Sequence, residues 1–286
     1  MNQIVNAEMS EYWNGKGGEK WVKFQNRLDA SLLPFGHEAM NAAAINRGER
    51  VLDIGCGCGD TSYEIAQKTG PGGYVEGVDI SDVILNQARS RTASAAQSNI
   101  NFKNADAQCH PFDPKVFDLV YSRFGVMFFD DPTVAFGNIR RALKPGGRIV
   151  FICWQPLNAN QWVSLPLDVA ANHMALPPPP EPDDPGPFSF GDLKRLERIL
   201  VDSGFVDSSI KPFSTGFKVG PDLDEAVSFL TVMGPASAVI DEPEVDDMTR
   251  SKIIEELRDT LAPYETTPGV ELGAATWIVT ASNPGN

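Results

Sequence analysis

Trp21, Phe24, Leu28 and Leu32 recur at three- and four-residue spacing, so residues 8–45 predict a helix with one apolar face. Pro34 and Gly36 predict a break in it, after which His37 to Ile45 resumes the pattern. From residue 50 the texture changes. Short apolar runs at Arg50–Ile54, Tyr74–Val78, Ile100–Ala105, Phe117–Tyr121 and Arg148–Trp154 predict buried strands. Helices are predicted between them, over Asp60–Lys68, over a segment capped by Ser81 and running to about Ala96, and over Pro132–Leu143. Lys144-Pro-Gly-Gly147 predicts a turn. Strands alternating with helices over this length predict an α/β fold, a parallel sheet covered on both faces.

The second half is less regular. Asn160 to Met174 predicts a helix in which Pro166 sits in the first turns or makes a kink. Pro177 to Pro187 holds seven prolines in eleven residues and predicts an extended connector. Gly191 to Ser203 reads as a helix closed by Gly204, and Ser208 to Val219 as a strand. Asp222 to Leu261 carries two helical patterns around an acidic break at Asp241 to Asp247, and Gly273 to Ser282 predicts a final strand.

Apolar residues make up 42% of the 286, enough for a substantial core, which excludes a disordered chain. Lys plus Arg number 24 against 38 Asp plus Glu, a formal charge of −14, so duplex nucleic acid and anionic membranes are not expected partners. Cys56, Cys58, Cys109 and Cys153 form no C-x-x-C pair and are too sparse for a disulfide scaffold, which points to a reducing, cytoplasmic setting and to no metal site. Met1 to Tyr12 has no signal-peptide pattern, and no apolar run reaches membrane-spanning length.

The sharpest local feature is Val51-Leu-Asp-Ile-Gly55-Cys-Gly57-Cys-Gly59-Asp60, placed between a buried strand and a helix. Glycines there let the chain turn and a ligand come close. A dinucleotide fingerprint needs G-x-G-x-x-G, but the third glycine would fall on Asp60 or on Ser62. No Lys follows the glycines, so this is no Walker loop either. Asp60 at the head of the helix opposes a phosphate. With Asp53 it suits a ligand bearing an ammonium or sulfonium group. Asp79, at the end of the second strand and 20 residues past Gly59, can accept both hydroxyls of a ribose. Asp106 and Ala107 follow the third strand, where a carboxylate could meet an exocyclic amine, and Ser122 and Arg123 end the fourth.

These blocks, together with Leu143-Lys-Pro-Gly-Gly-Arg148, resemble in order and spacing the class I S-adenosylmethionine-dependent methyltransferases, nearest to the small-molecule branch that includes the ubiquinone and menaquinone methylases. The resemblance covers residues 48–154. It implies a Rossmann-like seven-stranded sheet with its last strand antiparallel, helices on both faces and helical cap elements. It also implies S-adenosyl-L-methionine as cofactor, held near Asp53, Gly55 and Gly57 at the methionine end, by Asp79 at the ribose, by Ile80, Asp106 and Ala107 around the adenine, and near Ser122 and Arg123. The expected organisation is a helical cap (1–47), the cofactor-binding core (48–155), and the rest of the sheet with inserted substrate-cap helices (156–286). The quinone methylases carry an arginine after the fourth strand, where this sequence has Met127.

A small apolar or aromatic methyl acceptor is expected, lined by Tyr12, Trp13, Trp21, Phe128 and Trp154, with Phe229 to Ile240 as a lid. His37, His110 and His173 are the only histidines, and none is assigned as a catalytic base. The rival readings are a non-catalytic partner subunit that binds the cofactor, and a protein methyltransferase.

Overall fold

The computed structural model describes residues 4–94, 98–181, 183–240 and 245–285. The expected end of a helix at Ala96 and most of the acidic break, residues 241–244, lie outside them. The first half runs α1 (Ala7–Asn14), α2 (Lys16–Lys23), α3 (Gln25–Ala43), β1 (Arg50–Ile54), α4 (Asp60–Thr69), β2 (Tyr74–Asp79), α5 (Asp82–Ser94), β3 (Ile100–Asn104), β4 (Phe117–Arg123), α6 (Pro132–Ala142) and β5 (Leu143–Trp154). The second half runs α7 (Gln161–Ala171), α8 (Leu193–Asp202), β6 (Val206–Gly220), α9 (Leu223–Val232), α10 (Pro235–Ile240), α11 (Asp247–Leu261), β7 (Glu265–Thr266) and β8 (Gly269–Ser282).

The strand order is β3-β2-β1-β4-β5-β8-β6, with the two-residue β7 paired to β8 off this path. Neighbours from β3 to β5 run parallel, and β8 is antiparallel to β5. The order reverses between β1 and β4, and in open sheets of this kind ligands bind beyond the carboxyl ends of the strands at such a switch point. Residues buried on both faces, such as Val51, Leu52, Leu119, Val120 and Ile149 to Cys153, explain why these strands read as continuous apolar runs.

Three elements depart from the sequence reading. The N-terminal helix is broken at Gly15 and Phe24, and α3 runs through Pro34. Pro34 and Ala30 both lie on the exposed face, where water can satisfy the carbonyl that the proline leaves unpaired. Lys144-Pro-Gly-Gly147 lies inside β5, where the pairing with β4 shifts register between Phe117 and Leu119, so the expected turn is a bulge. Among the described residues between Asp222 and Leu261 three helices stand where two patterns were read.

Two compact units divide the chain. The first holds Met1–Trp154, Asp183–Phe213 and Thr276–Asn286. It contains β1 to β5, the half of β8 that pairs with β5, β6 up to Phe213, α1 to α6, and α8. The second holds Gln155–Pro182 and Ser214–Ala275. Its core includes Trp162 stacked on Phe217 at 4.7 Å, and Phe217 against Phe229. Phe229, expected in a lid, is buried in this core.

Candidate active site

The glycine loop joins β1 to α4, and its three glycines all have positive φ. A Cβ on Gly55 would lie 2.6 Å from Gly125 Cα, so this residue permits the turns after β1 and β4 to touch. A Cβ on Gly59 would collide with Phe102 at 2.8 Å. Gly57 differs: the nearest atom to its would-be Cβ is the indole Nε1 of Trp21, 3.6 Å away. Among the described residues no backbone packs against that side of Gly57; a side-chain edge from α2 does.

Asp53 ends β1 beneath this loop and is fully buried. Its Oδ2 accepts hydrogen bonds from Thr61 Oγ1 at 2.8 Å and Ser62 Oγ at 2.6 Å, while Oδ1 has no partner among the described residues. Burial pushes the carboxyl up to about 6, against the pull of those hydroxyls and of Arg123. A buried acceptor without a donor is costly, and it fits a ligand that brings an ammonium or another donor.

Asp79 ends β2 with one oxygen on the glycine loop and the other on the turn that follows β2. Oδ2 accepts from Gly57 N and Oδ1 from Ser81 N, each at 3.0 Å. Burial raises its carboxyl above the usual range, opposed by these backbone bonds. A carboxylate has about four acceptor sites, so lone pairs remain for a diol beside these bonds and the nearby Ile80 amide. Ile80 follows half-buried, its carbonyl accepting from Asn14 and Asn104.

The remaining expected cofactor residues are otherwise engaged. Asp106 is 1% exposed, and its carboxylate takes four donors: Val5 N, Asn6 N, Asn6 Nδ2 and Gln108 N, at 2.7–3.0 Å. Ala107 is buried and its carbonyl accepts from Asn138. Ser122 Oγ donates to Ile54 O and accepts from Gly125 N, pinning the two turns together. Arg123, its side chain 10% exposed, pairs with Asp60 at 3.1 Å and Asp29 at 3.4 Å. Arg91 reaches the same two carboxylates and donates to Cys58 O at 2.9 Å. Asp60 is thus neutralised, and Asp53 and Asp79 are the acidic groups left facing the loop.

The aromatic residues split into two groups. Trp13 lies edge-to-face with Trp21 at 5.7 Å, with Phe128 at 5.3 Å and with Tyr12 at 5.1 Å. Tyr12 is the outer member, 55% exposed. Trp154 stands apart: it is 4% exposed, stacked on Phe124 at 4.2 Å and edge-on to Phe35, so it packs as core. Phe124 holds this stack with φ of 63°, a costly conformation for a bulky residue. Met127 is buried, its carbonyl accepting from Gly186 and Ser189.

No side chain here stands out as a base. His37 is exposed beside Glu64. Burial, then Lys103, lowers the pKa of His110. Burial pushes the Cys58 thiol up to about 12, and Cys56 and Tyr121 well above their usual values. Sequence reasoning missed Asn6, Asn14 and Asp29. They are single polar residues on helices or at their ends, and no spacing marks partners more than 60 residues away.

Residues 45–165 match a family model described as a methyltransferase domain. The resemblance read from the sequence is to methyltransferases. Demethylmenaquinone methyltransferase of Lactococcus lactis subsp. lactis (strain IL1403) is 34% identical over 157 residues, 53% of this chain and 60% of that protein. Aklanonic acid methyltransferase DauC of Streptomyces sp. (strain C5) is 36% identical over 120 residues, 42% of this chain and 54% of that protein. The chain thus spans about half the length of the curated relatives it matches. Phosphoethanolamine N-methyltransferase 2 of Haemonchus contortus, solved with S-adenosyl-L-methionine, superposes with a TM-score of 0.59 at 17% identity, covering 99% of this chain and 60% of that one. At that identity it shows the fold, which is the Rossmann-like methyltransferase architecture expected from the sequence.

Proposed function

We propose that the chain is an S-adenosylmethionine-dependent methyltransferase acting on a small, apolar or aromatic acceptor. One observation supports the reading: two buried carboxylates flank the glycine loop, Asp79, which accepts from Gly57 N, and Asp53, which Thr61 and Ser62 of α4 hold and whose second oxygen is unpartnered among the described residues, free for an ammonium. A nicotinamide dinucleotide would instead place a pyrophosphate at the head of α4, against the Asp53 that Thr61 and Ser62 hold there. The cofactor supplies an electrophilic methyl on sulfur when bound. Asp53, Asp79 and the loop backbone hold and orient it, and orientation alone can supply effective molarities of about 10⁵–10⁸ M. Trp13, Trp21 and Phe128 form the apolar wall on which an acceptor ring can lie. Such a wall excludes water from a displacement in which charge is lost.

The relatives whose printed names specify demethylmenaquinone and aklanonic acid support a small acceptor. The −14 charge speaks against nucleic acid, and among the described residues no helix is long and apolar enough to cross a membrane. Four free cysteines support a cytoplasmic setting within the same proposal. The test is transfer of labelled methyl from S-adenosylmethionine to a panel of phenols, quinols and carboxylates. Turnover of at least one supports the reading. Cofactor binding with no transfer to any acceptor, peptides included, leaves the non-catalytic partner subunit in its place.

A further inference from the structure

Trp21 sits on α2, outside the matched domain, yet its indole Nε1 is the atom nearest to where a Cβ on Gly57 would lie, 3.6 Å away. Its neighbours fix it there. Gly18 permits that packing, since a Cβ at that position would lie 2.0 Å from Trp13 O. Trp13 O in turn accepts from Ser81 Oγ at 2.6 Å, just past Asp79. Asn14 clasps the same turn, donating to Ile80 O at 3.2 Å and accepting from Asp82 N at 2.9 Å. The segment that carries Trp21 is therefore tied to the turn after β2, the Trp21 ring lies edge-to-face with Trp13 at 5.7 Å, and its edge at the glycine loop carries one hydrogen-bond donor and no acceptor.

The cofactor proposed above ends in an ammonium and a carboxylate. Asp53 suits the first and repels the second. The two guanidinium groups that approach the loop, Arg91 and Arg123, are committed to Asp29 and Asp60. Gly57 N is taken by Asp79, and the amides of Gly55 and Cys56 by Val78 O. We infer that the Trp21 indole N–H donates to the carboxylate of the cofactor's methionine end, so that α2 is part of the cofactor site and not only of the acceptor wall. This inference rests on the methyltransferase reading. It has a thermodynamic corollary: docking of α1 and α2 and binding of cofactor stabilise each other by the same factor.

The test is calorimetric titration of the full chain and of Trp21→Phe, which keeps a ring beside Trp13 and removes the donor. Two ligands are used: S-adenosylhomocysteine, and its decarboxylated analogue with hydrogen in place of the carboxylate. A neutral donor to a charged acceptor predicts that Trp21→Phe weakens S-adenosylhomocysteine about tenfold or more and leaves the analogue within about twofold. Unchanged affinity for S-adenosylhomocysteine overturns the inference while the methyltransferase reading stands. Equal loss for both ligands also overturns it, making Trp21 a packing residue. If the unmodified chain binds neither ligand, the methyltransferase reading itself fails.

Discussion

Asn6 and Asp106, a hundred residues apart in sequence, are joined by two hydrogen bonds, from Asn6 Nδ2 to Oδ1 at 2.7 Å and from Asn6 N to Oδ2 at 3.0 Å. Asn6 Oδ1 also accepts from Asp130 N at 2.6 Å. One buried side chain thus ties the start of α1 to the loops after β3 and β4. With all four of its acceptor sites filled, Asp106 acts as the anchor of the N-terminal segment, and its part in recognising adenine would require those bonds to open.

Asn6→Ala strips two side-chain bonds and leaves buried partners unpaired. It should lower unfolding free energy by about 1–3 kcal/mol and speed amide exchange in residues 7–23. Chemical denaturation and hydrogen-exchange mass spectrometry check both. An exchange rate equal to the parent's would show that the bond does not hold the segment.

Asp79→Ala should weaken S-adenosylhomocysteine at least about tenfold, since each charge-assisted bond to ribose is worth about 1.5–3 kcal/mol. Calorimetry reads the change. An unchanged dissociation constant would make Asp79 only a brace for Gly57 and Ser81.

The Asp53 carboxyl titrates near 6 because burial disfavours its charge. A folded value above the unfolded 3.8 means that the native state binds the proton more tightly, so this residue favours folding fully below about pH 4 and loses that contribution as pH rises through 6. Ligand binding runs the other way. A proton and the cofactor's ammonium compete for the same oxygen, so affinity should fall by up to tenfold per unit below pH 6. Asp53→Asn should flatten that slope. A pH-independent affinity in the parent between 5 and 7.5 would contradict the assignment.

Trp154→Ala should act as a core deletion, costing about 3–5 kcal/mol, because both Phe124 and Phe35 lose their ring contact. Thermal and denaturant unfolding measure it. A variant of parental stability with a raised KM would return Trp154 to the acceptor wall.

The strands of the first half were legible because burial on both faces writes them as unbroken apolar runs, and the glycine loop because its conformation restricts side-chain choice. The places of Asp53 and Asp79 in β1 and β2 were legible for the same reason, being fixed in spacing to that loop. The destinations of Arg123 and Asp106 were not. Their partners, Asp29, Asp60, Asn6 and Val5, come from elements that meet only in the fold. Trp154 looked like a pocket residue because it ends a strand on the ligand side. What decides its role is that Phe124, held at positive φ, turns its ring back over it.

The central claim is that the glycine loop, Asp53 and Asp79 form a site for S-adenosylmethionine and not for a nicotinamide. The measurement that reaches it most directly is calorimetric titration of the chain with S-adenosylhomocysteine and, separately, with NADH. Saturable one-to-one binding of S-adenosylhomocysteine with none of NADH is the predicted result. Tight binding of NADH with no affinity for S-adenosylhomocysteine would contradict the account.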